Sequence, residues 1–113
     1  MNIQIFGKKK CFDTKKAERY FKERGIKYQF VDLLDKGMSR GEFNNVKQAV
    51  GGYTNMLDEG CKDKNLMALF NYLSDEDKEE KMLEKPQLLK TPIVRNGRQA
   101  TVGYKPEIWK EWE

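Results

Sequence analysis

Cys11 stands where an apolar strand, Ile3-Gln4-Ile5-Phe6, gives way through Gly7-Lys8-Lys9-Lys10 to a basic amphipathic helix opened by Asp13-Thr14-Lys15-Lys16-Ala17. A thiol at a helix start lies among backbone N–H groups with no intrahelical acceptor, at the positive end of the macrodipole. Both favour the thiolate, and lysines 8, 9, 10, 15 and 16 act in the same direction. The chemistry open to such a group is nucleophilic attack on a disulfide or an oxidised substrate. The same residue also fits a small packing role beneath the strand, and the segment by itself leaves both readings open. The second thiol, Cys61, lies 50 positions on, in Asp58-Glu59-Gly60-Cys61-Lys62-Asp63, which reads as an exposed loop. It is a candidate resolving thiol for an adduct on Cys11, provided the fold brings the two Cα atoms within about 7 Å.

Absences narrow the chemistry further. Histidine is missing altogether, which removes Cys-His and Ser-His activation and the commonest metal ligand. Two isolated cysteines do not make a zinc site without carboxylates, and no ligand spacing suggests one. No metal and no bound cofactor are therefore expected. The glycines form neither a GxGxxG nor a P-loop pattern. The net charge of +4 is modest and evenly interleaved with acids, so direct nucleic-acid binding is not expected. No apolar run approaches a membrane span or a signal-peptide h-region, so no membrane partner is expected. Two widely spaced cysteines indicate no disulfide framework and suit a reducing cytoplasm.

The elements that position Cys11 follow from the hydrophobic pattern. At 113 residues, 38% hydrophobic and 35% charged, the chain suits one domain, 1–113, with a single core and a solvated surface. Ala17, Tyr20 and Phe21 share a helix face over 15–24, and Gly25 ends that helix. Tyr28 to Leu33 then reads as a second strand, parallel to the first across a right-handed crossover. Residues 39–84 form a helical insert. Ser39 and Glu42 make a capping box there, with Met38 and Phe43 as its hydrophobic staple. Ser74 caps the charged last helix, and 53–64 reads as a loop with a helical turn. Ile93-Val94-Arg95, Asn96-Gly97 and Gln99 to Val102 read as a hairpin with a type I′ turn. Pro106 opens a closing helix that runs to Trp112.

This order predicts an α/β, thioredoxin-like fold: a mixed four-stranded sheet with a helical insertion between the second strand and the C-terminal hairpin. The insert is expected as a separate cap beside the sheet. In that setting Thr91-Pro92 takes on meaning, because a cis proline beside a thiol offers backbone to an extended disulfide substrate. Otherwise it is a proline starting an edge strand.

Three stretches together resemble the ArsC/Spx, arsenate reductase-like family. They are Cys11-Phe12-Asp13-Thr14-Lys15-Lys16-Ala17, Asp32-Leu33-Leu34-Asp35-Lys36-Gly37-Met38-Ser39, and Leu88-Leu89-Lys90-Thr91-Pro92-Ile93-Val94 running to Gly103-Tyr104. The resemblance covers nearly the whole chain and implies a thiol oxidoreductase with Cys11 as nucleophile and Thr14 bonding the thiolate. It implies Lys10, Lys15, Thr91, Pro92 and Arg95 as substrate contacts, and glutathione, a glutaredoxin or a thioredoxin as the thiol that resolves the adduct. Two positions depart from the family. The transcription factors carry a second cysteine three after the first, where this chain has Thr14, so no Cys-x-x-Cys switch forms. The arsenate reductases carry an arginine before the proline, where this chain has Thr91. Lys62 and Lys64 in the insert lack the bidentate fork of arginine, and only Arg95 and Arg98 lie near in sequence. Arsenate reduction is therefore not expected. The alternative implied is an Spx-like regulator docking on RNA polymerase without catalysis.

Overall fold

The computed structural model describes residues 1–113. The chain runs β1 (Ile3–Gly7), α1 (Phe12–Glu23), β2 (Tyr28–Asp32), α2 (Arg40–Val50), α3 (Lys64–Asn71), α4 (Asp75–Glu84), β3 (Ile93–Asn96), β4 (Gln99–Val102) and α5 (Pro106–Trp109). Short 3₁₀ turns at Tyr53–Met56, Pro86–Leu88 and Lys110–Trp112 complete it. The sheet order is β2-β1-β3-β4. β1 and β2 are parallel, with Ile5 beside Phe30. β3 runs antiparallel to both β1 and β4. This is the thioredoxin-like arrangement that the order of elements predicts.

Alternation along β1 sorts the core into two layers. Ile3 and Ile5 face Ala17, Tyr20 and Phe21 of α1, together with Val94 and Trp109. Trp109 closes that layer, its indole N–H donating to Thr101 Oγ1 at 2.7 Å. Phe6 faces the other way, into a cluster with Val31, Ile93 and Val102 of the sheet and Phe43, Val46, Phe70 and Met82 of the insert. The insert is thus no separate cap. Its apolar stripes are only half-amphipathic surfaces, and they find their partner on the sheet.

Local signals act as the residues suggest, with three adjustments. Ser39 Oγ accepts from the Glu42 amide at 3.1 Å and the Glu42 carboxylate accepts from the Ser39 amide at 2.9 Å, with Met38 and Phe43 both buried. The first adjustment is that α1 begins at Phe12 rather than Lys15, which makes Cys11 its N-cap. The second concerns the hairpin: Asn96 pairs with Gln99 across a two-residue loop, Gly97-Arg98. Only Gly97 there has positive φ, at 61°, which is the type II′ pattern and not the expected I′. The third is that the closing helix is only four residues long before it tightens to 3₁₀. The Thr91-Pro92 bond is cis, as expected.

Candidate active site

The site gathers where β1 ends. Gly7 is its hinge: a Cβ there would stand 2.3 Å from Thr14 Cγ2 and 2.9 Å from Thr14 Oγ1. Only a glycine lets the first turn of α1 fold this closely onto the strand. Thr14 is consequently buried, 1% exposed, and its hydroxyl oxygen accepts from the Lys8 amide at 3.4 Å. With its acceptor side used, the Thr14 hydroxyl has its proton free for the neighbouring sulfur.

Cys11 caps α1 in an extended conformation (φ −83°, ψ 120°) and is half-buried. As a thiol it donates to the Thr91 carbonyl at a long 3.6 Å. Burial pushes its pKa up, but hydrogen bonds from the hydroxyls of Thr14 and Thr91 and from the amides of Thr14 and Asp13 outweigh that cost. The net position is below the ordinary thiol value. The two contacts with Thr91 oppose each other. The carbonyl, accepting from the S–H, favours the thiol, and the hydroxyl favours the thiolate. None of the five lysines is among the causes. Short-range hydrogen bonds take the place of their expected contribution, and three of the five lysines are engaged by other partners. Lys8 Nζ donates to the Leu89 and Gln87 carbonyls at 2.7 and 3.3 Å, Lys9 lies 3.8 Å from Asp32, and Lys16 sits over the Tyr104 ring.

Cys11 opens on a cavity of about 770 Å³ that also touches Lys8, Lys9, Lys10, Asp32, Leu34, Asp58, Cys61, Lys62 and Thr91. Its cations are all lysines, and no arginine lines it. Beside the thiol, Phe12 is 80% exposed, and Leu34, on the cavity wall, is 60% exposed. The structure therefore brings together Cys11, Thr14, Thr91 and Lys10, with buried Pro92 next in chain. It does not bring in Lys15, which is exposed on α1 and off the cavity wall. Arg95 is likewise elsewhere. It pairs in register with Gln4, donates to Gln4 and Asn45 at 2.7 and 2.9 Å, and lines a different cavity with Arg98. Cys61 is not on an exposed loop but buried, and it shares the Cys11 cavity. No three Cys, Asp or Glu side chains converge as metal ligands would.

Sequence reasoning missed Gly7 and Lys8 as supports. The Lys8 ammonium bridges the β1–α1 loop to the Leu89 carbonyl and lies 3.7 Å from Asp58, fastening the loop to the segment that leads into Thr91-Pro92. A glycine directly after an apolar strand was the visible signal for the first. Nothing separates Lys8 from its two lysine neighbours in the sequence.

Comparison with known proteins places this geometry among relatives. The model of the ArsC family matches residues 6–112. Global transcriptional regulator Spx 2 of Oceanobacillus iheyensis is 26% identical, covering 100% of this chain and 94% of the relative. The arsenate reductase from Vibrio cholerae is 27% identical with a TM-score of 0.81, covering 98% of this chain and 97% of that one. An ArsC family related protein from Bacteroides fragilis superposes with a TM-score of 0.85 at 20% identity, covering 100% and 98%.

Proposed function

Because this chain belongs to the ArsC family, we propose that it is a cytoplasmic thiol oxidoreductase in which Cys11 is the nucleophile. The observation that carries the reading is the placement of the sulfur, at the N-cap of α1 and the mouth of a cavity, beside buried Thr14 and 3.6 Å from the Thr91 carbonyl. The Cys11 thiolate attacks one sulfur of a disulfide, forms a mixed disulfide and releases the other sulfur as a thiolate. A second thiol then attacks the adduct, and glutathione, a glutaredoxin or a thioredoxin supplies the electrons that return the protein to its reduced state. The exposed apolar rim of Phe12 and Leu34 suits a substrate that carries apolar surface beside its sulfur.

The test is the pH dependence of alkylation in Cys61→Ala, where only Cys11 reports. The midpoint is expected below the ordinary thiol value of about 8.5. Thr14→Val, which removes the first supporting hydroxyl, should raise it while the fold survives. A midpoint at or above the ordinary value in the parent would return Cys11 to a packing role.

Arsenate is expected to be a poor substrate even with glutathione and glutaredoxin supplied. The cavity cations are point charges, and a missing charge-assisted contact costs about 1.5–3 kcal/mol, roughly ten- to hundredfold in rate. Brisk arsenate reduction, lost in Cys11→Ser, would refute this.

A second reading is favoured by the Spx 2 relative: a regulator that docks on RNA polymerase and uses no chemistry. Thr14 in place of a second cysteine leaves such a protein without a Cys-x-x-Cys switch. An inert Cys11 thiol in the alkylation series, together with capture of purified RNA polymerase by this chain, would select it.

A further inference from the structure

We propose that Cys61 is the resolving thiol of Cys11, so that the reaction closes within this one chain. This rests on the reading of Cys11 as nucleophile and identifies the group that carries out the second step. Cys61 is a free thiol, 5% exposed, on the wall of the cavity into which Cys11 opens. Its placement is built rather than incidental. The Asp58 amide donates to the Leu88 carbonyl at 2.7 Å, the Lys90 amide donates to the Met56 carbonyl at 2.8 Å, and Leu57 bridges to Leu89 between them. The Cys61 amide then donates to the Asp58 carbonyl at 3.1 Å, turning the residue inward. The segment so strapped, 88–90, continues directly into Thr91, whose carbonyl accepts from Cys11 Sγ. Lys8 fastens the remaining side, reaching both the Leu89 carbonyl and Asp58. One short ladder of hydrogen bonds therefore connects both thiols to the same wall.

Exposure sets the order of events. Cys11 is half-exposed at the rim and Cys61 is enclosed, so an incoming disulfide R–S–S–R meets Cys11 first. The Cys11 thiolate forms the bond Cys11–S–S–R and displaces the first thiolate, RS⁻. Cys61 sulfur then attacks Cys11 Sγ, the S–S bond to R breaks, and the second RS⁻ leaves and takes up the proton that Cys61 loses. The substrate disulfide is reduced to two thiols, and the two cysteines are oxidised to one disulfide. An external dithiol restores the protein. Attack at Cys11 Sγ, rather than at the substrate sulfur, follows from the position of Cys61 inside the cavity with R toward its mouth.

The experiment uses the full reduced chain, oxidised glutathione as the disulfide, acid quenching at successive times, and intact-mass and peptide analysis. The native chain is expected to pass through a brief adduct to a species lighter by two hydrogens, with Cys11 and Cys61 peptides linked and two thiols released per chain. Cys61→Ala and Cys61→Ser should stop at the adduct on Cys11 with one thiol released. A tethered thiol acts at an effective concentration on the order of millimolar. With external thiol held well below that level, the adduct should persist about tenfold longer or more in both variants. Two substitutions guard against a packing artefact at this buried position, and a cooperative thermal transition in each confirms the fold. An adduct on Cys11 that persists equally in the native chain and in both variants overturns Cys61 as resolver and leaves Cys11 as nucleophile. A Cys11 that takes no adduct in any of them overturns both.

Discussion

Replacing Cys11 with serine is expected to abolish mixed-disulfide formation outright while leaving the fold in place. Serine sits in the same cap but cannot form an S–S bond, and the two hydroxyls and two amides around it cannot ionise an alcohol at neutral pH. Little packing is lost, because Cys11 is half-exposed and its one bond as a thiol is the long contact to the Thr91 carbonyl. In mildly acidic solution Cys11→Ser should therefore match the parent within about 0.5 kcal/mol. At higher pH the two should diverge in a defined direction. A thiol whose pKa is lowered by folding contributes stability that is lost as pH falls through the folded pKa and is fully present above the unfolded value of about 8.5. The parent should thus gain on Cys11→Ser as pH rises through the folded pKa and level off above the ordinary value. Urea unfolding of both proteins across that range measures it. A constant difference would mean that the supporting hydroxyls do not stabilise the thiolate, and residual disulfide exchange in Cys11→Ser would move the chemistry to Cys61.

The fold was legible because its signals are local and agree with one another. The apolar strand, the Ser39–Glu42 capping box, the glycine stops and the Asn96-Gly97 dipeptide each specify an element within a few residues. The hairpin turn shows the limit of such signals. Asn-Gly suits type I′, but the register Ile93↔Val102 places both residues of that dipeptide one step early, and the turn that closes is Gly97-Arg98. Cross-strand packing of Ile93 and Val102 against Phe6 and the insert sets the register, and the turn adapts to it.

The site was legible in part. Cys11, Thr14 and Thr91 meet because each stands at the end of an element whose place the topology fixes. Arg95 is near Pro92 in sequence but three strand residues further on, roughly 10 Å along β3 at about 3.3 Å per residue, which carries it out of reach. Lys15 is one helical turn beyond Cys11, and its position on α1 leaves it in solvent. Cys61 misled because acids and lysines flank it, the usual mark of exposure. Its burial comes from backbone pairing between 56–58 and 88–90, a long-range match that no window of the sequence contains.

Gly7→Ala is expected to be the most damaging single methyl that can be added to this site, lowering stability by about 2–3 kcal/mol. In a domain of this size that is a fall in Tm of roughly 8–13 °C. Gly7 has no positive φ, so backbone strain is not the cause. The cause is the 2.3 Å approach of the new Cβ to Thr14 Cγ2, with Phe30 Cε1 at 3.0 Å closing the other side. Thr14 is buried and held by α1, so relief must come from moving the first turn of the helix away from the strand. That movement takes the Thr14 hydroxyl and the α1 amides off the sulfur, and the Cys11 alkylation midpoint should rise with the loss of stability. The pairing of the two effects distinguishes a site hinge from a generic packing fault. Adding Thr14→Ser to Gly7→Ala removes Cγ2, the atom in closest conflict, and keeps the hydroxyl. The double variant should recover part of the Tm and bring the alkylation midpoint back down. If Gly7→Ala proves neutral within about 0.5 kcal/mol, or if Thr14→Ser restores neither quantity, the close approach of α1 to β1 does not set the reactivity of Cys11.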